Sequence, residues 1–286
     1  IADAIIENVT KFGGLMTHDD LLKAMNEQPV VREAVSGTYR GYQIAAPAPV
    51  SSGGTHVVQI LNILENYDMS DVEVNSAEYI HRVTEATRLA FMDRAAYMGD
   101  PAFVDLPIYG LTSKEYAKEL FDTITPLQAG HSDGPGDPWA YETGDSPYVT
   151  HGDTDSGYPN TNESNETTHI SIADKDGNMV SMTQTIQTHF GSCVFIDGYG
   201  FGLNNQCNDF TVGWESPNRV EGGKKPLSSM SPTIIRTAEG DPFMVIGTPG
   251  ATRIFPQVVQ TISKVIDYDM DIQDARQACS SWKSVA

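Results

Sequence analysis

Residues 167–187, TTHISIADKDGNMVSMTQTIQ, hold the pattern that decides the fold. Apolar and polar side chains alternate in two runs, one on each side of Asp176-Gly177, with the apolar positions at Ile170, Ile172, Val180 and Met182. A period of two is typical of β-strands, and a short stretch containing Asp-Gly is typical of a tight turn. The segment is therefore predicted to form a β-hairpin.

The predicted hairpin brings hydroxyl groups together at one end of a sheet. With the turn centred on Asp176-Gly177, paired residues have numbers that sum to about 353, and Thr185 then lies across from Thr167 and Thr168. A threonine at an amino terminus has its own general base, because a free α-amine titrates at roughly 7.7–8.0 and is partly neutral at physiological pH. Such an amine can activate a hydroxyl that is otherwise a weak nucleophile. The alternative is that two β-branched residues simply begin a strand.

The composition of the stretch before Thr167 favours cleavage at this point. Ala129 to Glu166 holds eight acidic residues, six glycines, four prolines and no Lys or Arg. Such a composition gives little means of burying a core, so we expect the stretch to be mobile. Cleavage between Glu166 and Thr167 would make Thr167 a new amino terminus.

Composition also limits the classes of function. The 286 residues carry a formal net charge of −20, and no apolar run approaches the roughly eighteen residues of a membrane-spanning helix. Nucleic acids and anionic membranes bind basic surfaces, so neither is an expected partner. Any anionic substrate must be held by local donors. The three cysteines (Cys193, Cys207 and Cys279) form no CxxC motif and do not indicate a compartment.

The order of the elements predicts the fold class. The first part of the chain is mainly helical in pattern, with a hairpin across Ser36-Gly37 and a long helix over 76–98 whose capping box is Asn75 and Glu78. Later segments are predicted as strands at 169–173, 179–186, 193–196, 201–204, 231–237 and 242–247, followed by a helix over 252–266. Short connections imply antiparallel sheets covered by helices, so we predict an α+β fold with one shared core.

Three polar stretches in the second half could line a site. A dense polar cluster ends at Asp209, whose carboxylate could pair with a substrate ammonium. Ser228 and Ser229 lie between rigid prolines and offer hydroxyls to a carboxylate. Gly250 and Ala251 precede a helix, where backbone N–H groups can bind an oxyanion. Each of these stretches could also be an ordinary turn, loop or helix start.

Other motifs argue against a cofactor or a metal. Gly198, Gly200 and Gly202 form a GxGxG pattern, but they lie between two short predicted strands and do not open a helix, so a dinucleotide site is not expected. The seven histidines include no HExxH motif and no close cluster with acids, and neither a catalytic metal nor another cofactor is predicted. His169, on the same strand face as Thr167, is interpreted as structural.

In combination, these stretches resemble the γ-glutamyltranspeptidase family. The resemblance implies an autoprocessing N-terminal-nucleophile hydrolase with a four-layer αββα sandwich. Residues 1–166 would be the C-terminal part of the large subunit, with a linker over 129–166, and residues 167–286 the N-terminal part of the small catalytic subunit. The resemblance runs over nearly the whole chain and includes these motifs: Ser51-Ser52-Gly53-Gly54, Thr167-Thr168-His169, Asp174 to Asn178, Asn204-Asn205-Gln206, Pro226 to Met230 and Pro249 to Arg253.

The resemblance also implies roles for individual residues. Thr167 would be the nucleophile for self-cleavage after Glu166 and for turnover, and Thr185 would hydrogen-bond its amine or hydroxyl. Asp209 would hold the α-ammonium of the substrate. The remaining implied roles are α-carboxylate binding by Ser228 and Ser229, oxyanion N–H groups from Gly250 and Ala251, and substrate binding by Gln187 and Gln206.

The implied activity is cleavage of the γ-glutamyl amide bond of glutathione or a related small molecule through an acyl-threonine. The acyl group would pass to water, an amino acid or a peptide. The two subunits of one precursor would form a heterodimer in the periplasm or outside the cell. We expect a targeting segment, and the family's carboxylate-binding Arg, before Ile1.

Departures from the family pattern leave alternatives open. Gln187 stands where many members carry Asn or Glu, Ala251 replaces the second Gly of the usual pair, and the segment from Thr211 to Lys225 is shorter than in members that have a lid. A short segment implies an open cleft, which suits a cephalosporin acylase-like or poly-γ-glutamate-degrading relative. A homologue that binds a ligand without being processed is a third interpretation.

Overall fold

The structure, a computed structural model, describes residues 1–131, 134–144, 146–149 and 166–278. Its helices are α1 (Ala2–Lys11), α2 (His18–Asn26), α3 (Gly53–Leu64), α4 (Ala77–Tyr97), α5 (Ile108–Thr112), α6 (Lys114–Asp122), α7 (Ile254–Tyr268) and α8 (Ile272–Gln277). Its strands are β1 (Val35–Tyr39), β2 (Tyr42–Ala46), β3 (Thr168–Ala173), β4 (Met179–Gln184), β5 (Thr233–Arg236) and β6 (Pro242–Ile246).

Strands β1 and β2 form a hairpin whose turn lies later than predicted. Tyr39 pairs with Tyr42, so the turn is Arg40-Gly41, and the prediction of a turn at Ser36-Gly37 was wrong. Both turn residues have positive φ, 51° and 87°, which suits the twist of a two-residue hairpin turn. Arg40 is fixed by distant partners, because its Nε donates to Asp267 Oδ1 over 3.0 Å and its guanidinium donates to carbonyls at the end of α3.

The main sheet is antiparallel and has the spatial order β1-β2-β5-β6. Helix α3 packs on β1 and β2, and α7 packs on α3. All twelve residues of α3 are buried, as expected of a helix that is apolar on most sides. One apolar core contains residues from both sides of Thr167. One face of the sheet contributes side chains to it, namely Val35, Tyr39, Ile44, Ile235, Met244 and Ile246.

Strands β3 and β4 form the second predicted hairpin, with Thr168 opposite Gln184. The paired numbers sum to 352, one less than the predicted 353, and continuing this register by one step would place Thr167 opposite Thr185. The hydroxyls of Ser171 and Ser181 donate to the backbone carbonyls of Val245 and Ile246, over 3.3 and 3.0 Å. The polar face of the hairpin therefore packs against β6 of the main sheet.

The opposite, apolar face of this hairpin points away from the main sheet. Its side chains are 37 to 54 % exposed: Ile170, Ile172, Val180 and Met182. Within the described residues no further layer covers them. The described part thus comprises helices, the four-stranded sheet and the hairpin, and the predicted α+β class is confirmed.

Two further local predictions were wrong. Helix α4 begins after Ser76, whose hydroxyl accepts from the Tyr79 N–H over 3.2 Å, and not after Asn75. Asn75 has a φ of 63°, a left-handed conformation that asparagine tolerates and a helix cap does not adopt. The strands predicted at 193–196 and 201–204 are reduced to one bridge between Phe195 and Gly202, since glycine weakens a strand.

The stretch predicted to be mobile, 129–166, is described only in part, and residues 150–165 lie outside the described residues. The described part is held against helices. Asp93 of α4 accepts from the Gly136 N–H over 3.1 Å, and the Tyr97 hydroxyl donates to the Gly136 carbonyl over 2.6 Å. Further along, the Leu106 N–H donates to the Tyr148 carbonyl over 2.9 Å.

Candidate active site

The predicted cleavage position lies at the open end of the β3–β4 hairpin. The Thr185 hydroxyl donates to the Glu166 carbonyl oxygen over 2.5 Å and accepts from the Gln187 N–H over 2.8 Å. A donor on this carbonyl polarises the peptide bond between Glu166 and Thr167. The Glu166 side chain is held as well, because Oε1 lies 2.9 Å from Nδ1 of His189. His189 was not predicted, since a lone histidine in a loop carries no sequence signal.

Asp209 ends a short 3₁₀ helix, Gln206–Asp209, and its carboxylate is fixed by two amides. Gln187 Nε2 donates to Oδ1 over 3.0 Å, and Gln206 Nε2 donates to Oδ2. Gln187 is 3 % exposed and has a φ of 78°, a conformation that is costly for a residue with a Cβ and that recurs at functional sites. Its Oε1 is buried without a hydrogen-bond partner among the described residues. A free acceptor therefore lies next to an oriented carboxylate.

Ser228 and Ser229 are held against the start of α3. The Ser52 N–H donates to the Ser228 carbonyl over 2.8 Å, and Ser51 pairs with Ser228 as in a parallel sheet. Gly53 allows this approach, because a Cβ at this position would overlap the carbonyl oxygens of Ser229 and Met230. The Ser-Ser-Gly-Gly motif thus supports the serine pair through its backbone.

Arg94 of α4 contacts the serine pair, and the sequence analysis did not single it out. It is 6 % exposed. Its Nε donates to Ser52 Oγ over 2.8 Å and its Nη2 to Ser229 Oγ over 2.9 Å. The one available signal was a charged side chain inside the buried stretch of a long helix, a position where charge is rare unless it is paired. The guanidinium places a fixed positive charge beside Ser229.

Gly250 and Ala251 connect β6 to α7. A 3₁₀ turn, Ala251–Arg253, leads directly into α7, and Gly250 and Ala251 have φ values of 138° and 54°. Positive φ is uncommon for alanine. The Gly250 carbonyl accepts from the Arg253 N–H over 3.0 Å, which fixes the turn at the positive end of the α7 dipole.

One pocket brings most of the predicted site residues together. It encloses about 20 Å³, room for about one water molecule. Gly250 and Glu166 are not among the lining residues, but each is bonded in the chain to one of them, Ala251 and Thr167 respectively. The lining residues are Thr167, Thr185, Gln187, Gln206, Asp209, Ser228, Ser229, Met230, Ala251 and Ile254.

His169 lies outside the pocket lining and makes structural contacts. Its Nδ1 is 2.7 Å from Thr183 Oγ1, its Nε2 is 2.9 Å from Ser171 Oγ, and its ring packs on Gly247. Burial, and then the charge of Arg276, lower the pKa of His169. Within the described ranges, no group of three His, Cys, Asp or Glu side chains is arranged to hold a metal. None of the described helices is long and apolar enough to span a membrane.

Comparison with known proteins defines the class. The sequence profile of the family described as gamma-glutamyltranspeptidase matches residues 1–283, so the chain belongs to this family, as the resemblance predicted. It is 40 % identical over 291 residues to the glutathione hydrolase proenzyme of Escherichia coli (strain K12), covering 97 % of this chain and 46 % of that protein.

Two acylases are also similar to the chain. The chain is 37 % identical over 284 residues to the acylase ACY 1 proenzyme of Pseudomonas sp. (strain SE83), covering 98 % of this chain and 45 % of that protein. The solved structure of cephalosporin acylase from Bacillus halodurans superposes with a TM-score of 0.74 at 25 % identity, covering 94 % of this chain and 44 % of that one. The chain spans about half the length of these relatives.

Proposed function

We propose that the full-length protein is an autoprocessing γ-glutamyl hydrolase and transferase that acts on glutathione and related compounds. The proposal rests first on the hydrogen bond from Thr185 to the Glu166 carbonyl, at a pocket that Asp209, Ser228 and Ser229 also line. Family membership and the similarity to glutathione hydrolase proenzymes support the same activity.

Self-cleavage would begin at Thr167. Its hydroxyl oxygen attacks the carbonyl carbon of Glu166, while the Thr185 hydroxyl stabilises the oxyanion that forms. The C–N bond breaks, the proton of the Thr167 hydroxyl passes to the departing nitrogen, and an ester joins the two residues. Water then hydrolyses this ester, which leaves a carboxylate on Glu166 and a free amine on Thr167.

Turnover would use the amine that cleavage creates. The neutral α-amine of Thr167 accepts the proton of its own hydroxyl, and the oxygen attacks the γ-carbonyl carbon of a glutamyl amide. The N–H groups of Gly250 and Ala251, at the start of α7, stabilise the oxyanion. The amine of the donor leaves with a proton, and water or an amino-acid amine resolves the acyl-threonine.

Substrate recognition would divide between the two ends of the glutamyl zwitterion. Asp209 binds the α-ammonium, with Oε1 of Gln187 as a second acceptor. Ser228 and Ser229 donate to the α-carboxylate, and the charge of Arg94 acts through Ser229. Such charge-assisted hydrogen bonds are stronger than neutral ones, which is needed because the net charge of −20 on this chain repels anions.

Cleavage would also enlarge the pocket. Its volume of about 20 Å³ cannot hold a glutamyl group while Glu166 remains joined to Thr167. After cleavage, the Glu166 carbonyl can leave Thr185 and free space beside the nucleophile. The subunit that ends at Glu166 and the subunit that begins at Thr167 would stay together as a heterodimer, because both contribute to one core.

The decisive experiment is a denaturing gel of the complete gene product with amino-terminal sequencing of the smaller band. We expect two bands, with Thr167 as the first residue of the smaller one. Thr167→Ala should remain a single band, and Thr167→Ser, which keeps a hydroxyl, is the matched control and should still cleave. An uncleaved wild type with full glutathione turnover would contradict the proposal.

A second candidate function is acylase activity on glutaryl-β-lactams or depolymerisation of poly-γ-glutamate. The similarity to two acylases favours it, as does the short segment between Thr211 and Lys225. Rates of the purified protein on glutathione, poly-γ-glutamate and a glutaryl-β-lactam would separate the candidates. The highest kcat/KM on the β-lactam would favour the acylase, and tight glutamate binding without any cleavage would favour a ligand-binding homologue.

By resemblance to the family, we also propose that the full-length protein acts in the periplasm or outside the cell. Cell fractionation with an antibody against the small subunit tests this location. Recovery of the small subunit in the cytosol alone would contradict it.

A further inference from the structure

Asn218 lies between the two segments proposed to bind the ends of the substrate. It is 5 % exposed. Its Nδ2 donates to the Asp209 carbonyl over 2.7 Å and to Thr211 Oγ1 over 3.3 Å. Its Oδ1 accepts from the Leu227 N–H over 2.9 Å. One buried amide thus contacts the residue that carries the ammonium-binding carboxylate and the residue that precedes Ser228.

No strand ladder joins these two segments in the described part of the chain. Asp209 ends a single 3₁₀ turn, and Leu227 belongs to the loop before β5. Isolated loops vary in their separation unless hydrogen bonds fix it. A carboxamide presents donors on one side and an acceptor on the other at a fixed distance, so Asn218 sets the spacing between the two segments.

We propose that Asn218 is a positioning residue that sets the distance between the carboxylate of Asp209 and the hydroxyls of Ser228 and Ser229. By fixing that distance, it determines the preference for γ-glutamyl over glutaryl groups. This inference rests on the proposed function, because it assigns the two ends of an α-amino acid to these residues.

The two acyl groups differ only in the α-ammonium. A glutaryl group has the carboxylate and lacks the ammonium, so it engages Ser228 and Ser229 but makes no ion pair with Asp209. A shift of Asp209 relative to the serines therefore weakens binding of the γ-glutamyl group and has little effect on the glutaryl group. A general loss of structure weakens both equally.

The test uses the complete, cleaved protein, with L-glutamate and glutarate as ligands in isothermal titration calorimetry. Asn218→Asp keeps an oxygen for the Leu227 N–H but turns an oxygen toward the Asp209 carbonyl, which is repulsive. We expect its affinity for L-glutamate to fall about tenfold or more, as for a buried acceptor that loses its donor, while its affinity for glutarate changes less than about threefold.

Kinetics supply a second measurement. In Asn218→Asp, KM for γ-glutamyl-p-nitroanilide should rise by the same factor as the glutamate dissociation constant, while kcat changes little, because the nucleophile is untouched. Asn218→Ala loses all three side-chain hydrogen bonds and should weaken binding of both ligands. The ratio of the two affinities in one sample does not depend on the folded fraction.

Matched variants separate positioning from folding. Asn62→Asp alters another buried asparagine, which donates to the Thr112 carbonyl over 2.7 Å far from the pocket, and should leave the affinity ratio unchanged. Thr211→Val removes the second acceptor of the Asn218 amide without changing Asn218. Thr211→Val should reduce the preference for L-glutamate over glutarate, by less than Asn218→Asp does. If Asn218→Asp does not fold, Thr211→Val decides the question.

Two results would overturn the inference while leaving the proposed function intact. One is an equal loss of affinity for L-glutamate and for glutarate in Asn218→Asp, or an unchanged ratio of the two affinities in both Asn218→Asp and Thr211→Val. The other is a folded Asn218→Asp that stays uncleaved, which would indicate a general structural role. A wild type that neither cleaves nor hydrolyses γ-glutamyl donors would instead contradict the proposed function itself.

Discussion

At the residue scale, Thr185 connects the bond proposed for cleavage to the rest of the site. Its hydroxyl accepts from the Gln187 N–H while it donates to the Glu166 carbonyl. Because one lone pair is already occupied, the hydroxyl proton is directed at the carbonyl. A donor that does not have to reorient stabilises developing negative charge more effectively than a mobile one.

Replacing Thr185 with valine removes the hydroxyl and keeps the β-branched shape. We expect self-cleavage of Thr185→Val to slow by about 10²–10³-fold, the usual effect of losing one oxyanion donor. The appearance of the small subunit on a gel over time measures the rate. Thr185→Ser is the control and should cleave at close to the wild-type rate. Equal rates for the two variants would show that the hydroxyl is dispensable.

Arg94 offers a second test at this scale. Arg94→Met removes the charge and the donors to Ser52 and Ser229 but retains much of the side-chain volume. We expect the free energy of unfolding to fall by about 1–3 kcal/mol, since Ser229 Oγ loses its buried donor, and KM for γ-glutamyl donors to rise about tenfold. Urea unfolding and steady-state kinetics measure the two effects.

The control for this variant is Arg236→Met. Arg236 is exposed and donates to the Gly240 carbonyl, so its loss should change the free energy of unfolding by about 0.5 kcal/mol or less. If Arg94→Met lost stability with an unaltered KM, the guanidinium would support only the fold.

At the element scale, a buried polar network joins α3, α4 and α6. Asp93 accepts from Gln59 Nε2 over 2.5 Å, from the Tyr116 hydroxyl over 2.8 Å and from the Gly136 N–H over 3.1 Å. Gln59 Oε1 lies 2.7 Å from His56 Nδ1. Asp93 adjoins Arg94 in the sequence, so the same network fixes the part of α4 that supports Ser229.

Burial shifts the pKa of the carboxyl group and that of the imidazole of this network in opposite directions. It raises the pKa of Asp93 to about 6, although the hydrogen bonds from Tyr116, Gln59 and Gly136 lower it. It lowers the pKa of His56 to about 3. The stability from Asp93 is complete below its unfolded pKa of 3.8 and is lost as pH rises through about 6. The stability from His56 is complete above its ordinary pKa of 6.5 and is lost as pH falls toward 3.

Asp93→Asn isolates the first of these effects, because His56 is common to both proteins. We expect the free energy of unfolding of wild type to fall by about 3 kcal/mol relative to that of Asp93→Asn between about pH 4 and pH 7, because the pKa of Asp93 rises from 3.8 to about 6 on folding. Urea unfolding across this pH range measures the difference. A constant difference would mean that Asp93 has the same pKa in the folded and unfolded protein.

Elements whose signals are local were predicted well, and those fixed by distant contacts were not. The β3–β4 hairpin was found within one residue of its register, because alternation and turn chemistry are encoded in adjacent residues. The β1–β2 turn was misplaced, because Arg40 is bound by Asp267, which lies 227 positions away. The N-cap of α4 is Ser76, one residue later than predicted, because the left-handed backbone conformation of Asn75 is not that of a helix cap.

At the scale of the whole molecule, charge opposes the proposed substrate. The net charge of −20 repels an anion, and salt screens that repulsion. We expect kcat/KM for glutathione, a net anion, to rise on the order of twofold as NaCl increases from about 10 to about 200 mM. The zwitterion γ-glutamyl-p-nitroanilide is the control and should respond less. If kcat/KM for glutathione alone fell as NaCl increased, positive groups near the site would be attracting the substrate instead.

The sequence by itself determined the hairpin, the α+β class, the family and most of the residues that line the pocket, because strand alternation, turn residues and short motifs are local properties. Only the tertiary structure decided which groups surround those residues. Arg94 behind Ser229, Asn218 between Asp209 and Leu227, and His189 beside Glu166 are brought together by packing between segments far apart in the chain, and a one-dimensional pattern does not record such distances.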